Sequence, residues 1–229
     1  MNDLTIIVCS YNTPIVMETC LKSWKALYGN VNNWLISENS TDDDTASMLD
    51  KYHIPYFRNP GMSHPSGVDF LIRKCPTRFA LLIDSDIIFL KRIDSLWEKI
   101  QTQNPVLAGE QCGDRGGKKL YPRIHPWFCF LGTDVITFNK FHMSSDTDLN
   151  IGKNPMVDRL YDVGSKLFEE VAGANLPILD TKSTMNEFFY HYEGMSWRKY
   201  IPGYVEWGLA VEREYQKEIE KFKHVSLGE

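Results

Sequence analysis

The tripeptide Asp84-Ser85-Asp86 carries the sharpest chemical signal in the chain, because it follows directly on residues 79–83, Phe-Ala-Leu-Leu-Ile, the most apolar short run present. Two carboxylates at i and i+2 leaving a buried strand repel each other unless a cation or several hydrogen-bond donors compensate them. A divalent ion is the natural compensator. Mg2+ or Mn2+ takes oxygen ligands and often completes its shell with waters and substrate phosphates, so a paired carboxylate suits the holding of a diphosphate. The same tripeptide also fits a turn and cap ahead of Ile87, and the residues alone leave both readings open.

The elements that would position such a pair are legible as alternating apolar runs and amphipathic stretches. Residues 4–9 form a continuous apolar and β-branched run, as expected of a strand covered on both faces. Thr13-Pro14 supplies an N-cap and a first-turn proline, and Val16, Cys20, Trp24 and Leu27 recur at helical spacing. Residues 34–36 predict a second strand. The segment Ser40-Thr41-Asp42-Asp43-Asp44 predicts a capping box ahead of Ala46, Met48, Leu49 and Tyr52. A short strand at 55–57 follows, and Ser66-Gly67 opens a helix through Phe70, Leu71 and Ile72 that stops near Pro76. Four strand–helix units in succession imply an α/β sandwich on a largely parallel sheet. Ligand crevices in such sheets lie beyond the carboxyl ends of the strands, where Asp84 and Asp86 fall.

Beyond residue 95 the pattern changes to α+β. Residues 105–108, 127–131 and 135–138 are apolar runs, the last two separated by Gly132-Thr133-Asp134 at a turn or strand-to-helix junction. Val157, Leu160, Tyr161, Gly164, Leu167, Phe168 and Val171 predict one amphipathic helix. Residues 207–223 predict a charged amphipathic helix that could pack on its own chain, pair with a second copy or lie on a membrane surface.

Composition narrows the function classes. With 25 Lys plus Arg against 30 Asp plus Glu, a net charge of −5 argues against nucleic acid as the partner. The 43% hydrophobic content supports a full core in 229 residues and excludes a disordered chain. Cys9, Cys20, Cys75, Cys112 and Cys129 are odd in number and never in C-x-x-C spacing, which predicts reduced thiols and a reducing compartment. No stretch approaches the ~18 apolar residues of a membrane span, and the first residues lack the basic, apolar pattern of a signal peptide. The expectation is a cytoplasmic protein, membrane-peripheral if the C-terminal helix makes that contact.

Four landmarks in order carry a resemblance: residues 5–12, Thr-Ile-Ile-Val-Cys-Ser-Tyr-Asn; residues 38–42, Glu-Asn-Ser-Thr-Asp; Asn59-Pro60-Gly61; and residues 82–86, Leu-Ile-Asp-Ser-Asp. Together they resemble family 2-type GT-A glycosyltransferases over about residues 4–90. The resemblance implies a GT-A, Rossmann-like nucleotide-diphospho-sugar transferase fold, with a mostly parallel central sheet and an α+β C-terminal half. It implies one domain over 1–229: a nucleotide-sugar-binding half at 1–95, an acceptor-side half at 96–204 and a helical extension at 205–229.

The resemblance further implies that Ser10, Tyr11 and Asn12 lie against the nucleotide and that Glu38 and Asn39 face its base and ribose. The family more often has Asp where this chain has Glu38 or Asn39. Asp86 would be the principal ligand of Mn2+ or Mg2+, with Asp84 holding the ribose or a metal-bound water and Ser85 between them. Residues 188–197 resemble a His-x-x-Gly-x-Ser segment, which makes His191 a third ligand; a histidine packed among Phe189, Tyr190 and Tyr192 is the plainer reading. The general base of an inverting transfer falls by the same likeness on Asp162, with Asp158 four residues before it and so on the same face of a helix. Asp162 could instead pair with Lys166. Arg123, Lys119 and Trp127 would flank the acceptor, and Glu110 and Asp134 are further carboxylates that the sequence does not rank.

The implied activity is metal-dependent transfer of a hexosyl group from a nucleoside-diphosphate sugar to a hydroxyl of a glycan or related acceptor. Two alternatives are a sugar-phosphate nucleotidyltransferase and a non-catalytic sugar-nucleotide or glycan-binding domain. The first normally has a glycine-rich phosphate loop after strand one, and residues 9–14, Cys-Ser-Tyr-Asn-Thr-Pro, contain no glycine.

Overall fold

The computed structural model describes residues 3–112, 122–143, 153–154, 159–160, 163–181, 187–192 and 205–228. The first half runs β1 (Leu4–Ser10), α1 (Pro14–Tyr28), β2 (Trp34–Glu38), α2 (Asp44–Lys51), β3 (Phe57–Arg58), α3 (His64–Lys74), β4 (Phe79–Asp84), β5 (Ile87–Phe89) and α4 (Asp94–Gln103). The second half adds β6 (Leu107–Cys112), β7 (Arg123–Gly132), α5 (Thr133–Asn139), β8 (Lys153–Asn154), β9 (Arg159–Leu160), α6 (Ser165–Gly173), β10 (Ile178–Asp180), β11 (Phe189–His191) and α7 (Val205–Phe222).

Seven strands form the central sheet in the order β10-β6-β7-β4-β1-β2-β3, and β7 alone runs against its neighbours β4 and β6. Strand alternation divides the core in two. Ile6, Val8, Leu81 and Ile83 point to one face, packed with Trp24, Leu49, Trp97 and Ile100 of α1, α2 and α4. Ile7, Cys9, Ala80 and Leu82 point to the other, packed with Val68, Leu71, Ile136 and Leu167 of α3, α5 and α6. Continuing that alternation, Asp84 leaves β4 on the α3 face.

Helix α7 packs on α1, where Tyr215 is buried with Val16, Ile88 and Phe222 and donates its hydroxyl to the Val16 carbonyl at 2.9 Å. Of the three expectations for this segment, packing on the same chain is the one seen. Among the described residues no helix is long and apolar enough to cross a membrane.

Three local expectations are corrected. Helix α3 begins at His64 with Ser63 as N-cap, two residues before Ser66, because Ser63 Oγ accepts the Ser66 N–H and Pro65 occupies the first turn. No capping box forms ahead of α2: Ser40 Oγ accepts the Asn12 N–H instead, and the Asp43 carboxylate is drawn to Arg58. The helical period read from Val157 produces a helix only from Ser165; Arg159–Leu160 is a strand, and Gly164 takes a left-handed φ of 86° that interrupts the run. Asp158 and Asp162 lie outside the described residues.

Candidate active site

Parallel pairing brings the ends of β1, β2 and β4 to one edge, since Ser10 lies opposite Glu38 and Cys9 opposite Asp84. The loop after β1 is stapled across that edge. Asn12, at a left-handed φ of 51°, donates its N–H to Ser40 Oγ at 2.8 Å and accepts the Thr41 N–H at 3.2 Å. Tyr11, just before Asn12, is exposed. Ser10 is fully buried, and its hydroxyl meets Thr13 Oγ1 at 3.3 Å, which in turn meets Ser85 Oγ at 3.2 Å. This buried hydroxyl chain fixes the residue between the two aspartates.

Glu38 and Asn39 are buried, and their side chains are turned into the fold. One Glu38 oxygen accepts the Ser40 N–H at 2.9 Å and the other pairs with Arg58, which also reaches the carbonyls of Ser40 and Asp42. Asn39 Oδ1 accepts from Ser37 Oγ at 2.6 Å, and that hydroxyl accepts from Asn59 Nδ2 at 3.0 Å. The Asn59-Pro60-Gly61 segment closes the arrangement with N–H donation from Asn59 to the Glu38 carbonyl and from Gly61 to the Asn39 carbonyl.

His191 reaches the same edge from a distance of more than a hundred residues in sequence. Strand β11 pairs antiparallel with β5, setting His191 opposite Ile87, and the Tyr192 N–H donates to the Asp86 carbonyl at 3.0 Å. His191 Nε2 consequently lies 3.1 Å from Asp86 Oδ1 and 3.7 Å from Asp84 Oδ2. One ligand atom from each of Asp84, Asp86 and His191 falls within 4.8 Å of the others, a spacing at which one ion could touch all three. Two hard carboxylates and one imidazole suit a first-row divalent ion. The Asp86 side chain is 9% exposed and that of Asp84 31%, so Asp86 is the inner group and Asp84 the one that faces incoming solute.

Two further histidines complete the surroundings, and neither stood out in the sequence. His64, at the first position of α3, places Nε2 3.3 Å from Asp84 Oδ1. His125 lies on β7, which continues past the end of β4 because its Phe128 is already opposite Ile83. The His125 ring packs against Trp127 at 4.9 Å, and Trp127 stacks on His191 at 4.9 Å and 19° between planes. Trp127 therefore buttresses the imidazole. Burial alone would raise the pKa of Asp84, but the contact with His64 and then the charges of His64, His191 and His125 outweigh it and hold the carboxyl below its ordinary value. The signal that could have found His64 was Ser63 as N-cap; for His125 it was the length of the run after residue 122.

At the start of β7, Arg123 is buried, with Nε against Cys112 Sγ at 3.3 Å and Nη1 donating to the Val163 carbonyl at 3.1 Å. Val163 is the residue after Asp162 in the chain, and the adjacent Gly164 lies so close to the Ile124 carbonyl that a Cβ there would stand 3.2 Å from it. Lys166 pairs with Glu169 and Glu170. Glu110 sits at a bulge near the end of β6, and Asp180 ends β10 on the same edge, accepting the Gln111 N–H. Asp134 lies in the first turn of α5 at the opposite end of the sheet, where it pairs with Arg78. Lys119 lies outside the described residues.

Residues 5–152 match the family described as Glycosyl transferase family 2. The chain belongs to that family. Its fold is the GT-A fold: TarS 1–349 of S. aureus, in complex with UDP-GlcNAc, superposes with a TM-score of 0.56 at 15% identity, over 95% of this chain and 66% of that one. The mannosyltransferase PcManGT of Pyrobaculum calidifontis, in complex with GDP-Man and Mn2+, gives 0.59 at 10% identity, over 96% of this chain and 63% of that one. This chain thus spans just under two thirds of either structure. Among curated proteins none matches it in sequence.

Proposed function

We propose that this domain transfers a hexosyl group from a nucleoside-diphosphate sugar to a hydroxyl of a glycan or related acceptor, with inversion, using Mn2+ or Mg2+ held by Asp84, Asp86 and His191. The observation that carries the reading is the convergence of these three side chains at the carboxyl edge of the sheet, within 4.8 Å of one another. The two structural relatives, one with UDP-GlcNAc and the other with GDP-Man and Mn2+, support a sugar nucleotide as the ligand class. A bound ion would neutralise the charge that develops on the departing diphosphate.

The chain's own groups have distinct parts in this reading. Asp86 and His191 form the inner wall, and Asp84, more exposed, faces the ribose and diphosphate. Tyr11 offers an exposed ring for the base to stack on, while Ser10, Asn12, Glu38, Asn39 and Ser85 shape the backbone that the nucleotide lies along. Asp162 is the proposed general base and Asp158 the second choice, supported by the tether of Val163 to Arg123 on the acceptor edge. The five free thiols support a reducing, cytoplasmic setting, and exposed Trp207 and Leu209 on α7 support contact with a membrane surface or a second copy.

The test is a panel of UDP-, GDP- and dTDP-sugars incubated with Mn2+ or Mg2+, followed by mass spectrometry of nucleoside diphosphate release and of transfer to mixed glycan acceptors. The expected result is metal-dependent release from at least one donor, lost in Asp86→Ala. Asp162→Asn should lower transfer by about 10²–10⁴-fold while leaving donor binding intact. Tight donor binding without turnover across the panel would make the domain a binding module, and pyrophosphate release from a nucleoside triphosphate plus sugar phosphate would make it a nucleotidyltransferase.

A further inference from the structure

The Asp84 carboxylate has two different neighbours on its two oxygens: Oδ2 turns toward His191, and Oδ1 faces His64 Nε2 at 3.3 Å. His64 is not among the three side chains whose ligand atoms lie within 4.8 Å of one another, and its contact is with the Asp84 oxygen turned away from His191, which sets it behind the carboxylate. Its backbone is held by independent features. Ser63 caps α3, Pro65 fixes the first turn, and Cys9 Sγ lies 3.7 Å from the His64 carbonyl as donor. Cys9 is the residue of β1 in register with Asp84, so the contact ties the start of α3 to the strand position beside the carboxylate. Gly67 makes the approach possible: a Cβ there would stand 2.8 Å from Cys9 Sγ and 2.7 Å from Asn39 Nδ2.

We propose that His64 is a positioning residue for metal binding, holding Asp84 Oδ1 so that Oδ2 remains presented to an ion shared with Asp86 and His191. The inference rests on the reading of Asp84, Asp86 and His191 as a divalent-metal site. Groups that orient a liganding carboxylate from behind typically contribute about ten- to a hundred-fold to metal affinity. His64 therefore sets affinity for the ion without touching it, and the helix that supplies it belongs to the nucleotide-binding half of the chain.

The experiment is a Mn2+ titration followed by electron paramagnetic resonance, alone and with UDP or GDP, on the full chain of wild type, His64→Ala, His64→Gln, His191→Ala and Asp86→Ala. The expected result is a Mn2+ dissociation constant raised about ten- to a hundred-fold in His64→Ala, with partial recovery in His64→Gln, whose amide can still donate. The melting temperature without metal should be unchanged in both. Pulsed spectra should retain the coupling of a directly bound nitrogen in His64→Ala and lose it in His191→Ala. Wild-type affinity in His64→Ala overturns the inference, as does a loss of affinity matched by a loss of metal-free stability. Loss of the nitrogen coupling in His64→Ala but not in His191→Ala would overturn it too, by making His64 itself a ligand. If wild type and Asp86→Ala alike bind no Mn2+, the metal reading itself fails and takes the inference with it.

Discussion

Glu38 shows how a single residue at the candidate site can serve shape rather than contact. Its carboxylate is fully buried, and removing such a charge from water is costly unless a partner compensates it. Arg58 is that partner, and its remaining donors gather the carbonyls of Ser40 and Asp42 into the loop after β2. Replacing Arg58 with Met leaves the carboxylate buried and uncompensated. Arg58→Met should lower stability by about 3–5 kcal/mol in urea unfolding, and the double variant with Glu38→Gln should recover much of that loss. Equal destabilisation in single and double variants would show that the pair is not coupled. At this scale the sequence was readable for Asp84 and Asp86, because two carboxylates at the end of an apolar run need compensation wherever they fold. The roles of Glu38 and Arg58 were not readable, since a strand-end carboxylate looks the same whether it faces a ligand or a guanidinium twenty residues away.

Helix α3 carries the argument at the scale of elements. Its contact with the strand ends depends on Gly67, and the atoms that a Cβ would meet are not free to yield: Asn39 is held by Ser37, and Cys9 sits in the sheet. Gly67→Ala should move the first turn of α3 outward. The expected cost is about 1–3 kcal/mol of stability, as for other additions to a packed core, together with weaker Mn2+ binding as His64 draws away from Asp84. Unaltered stability and unaltered Mn2+ affinity would show that α3 is not pressed against the strand ends. The helix itself was legible from its apolar spacing, but its start was misplaced by two residues. That small error removed His64 from view, because the cap at Ser63 competes with an equally plausible serine at 66. The predicted helix from Val157 fails for a related reason: apolar residues at helical intervals do not make a helix across Gly164, whose left-handed φ serves the close approach to Ile124.

Over the whole molecule, the site is assembled from both halves of the chain. Strand β11 brings His191 to β5, Tyr192 packs edge-on against Tyr215, and Tyr215 anchors α7 to α1. The buried thiols and this tyrosine give the fold a common pH signature. Burial raises the pKa of Cys9, Cys20, Cys129 and Tyr215 above their ordinary values, with the charges of Asp84 and Asp86 adding to the effect on the thiols. The folded state thus keeps protons that the unfolded state releases as pH rises through the ordinary thiol range near 9. Stability should be complete below that range and fall above it, by about 1.4 kcal/mol per pH unit for each thiol still protonated in the fold. Urea unfolding between pH 7 and 10 measures this, and Cys129→Ala should make the decline shallower. A flat profile would mean that these groups ionise in place.

The sequence by itself determined the strand–helix rhythm of residues 4–84, the acidic pair at the end of β4 and the family, because local periodicity and the cost of placing carboxylates after a buried strand do not depend on distant partners. The resemblance pointed to His191, but tertiary structure alone decided the strand register that carries it to that pair, that His64 and the His125–Trp127 rings stand around it, and that Glu38 is paired with Arg58. Those outcomes follow from register and helix placement across the sheet, where a shift of one residue turns a side chain to the opposite face, and no local pattern in the chain encodes that choice.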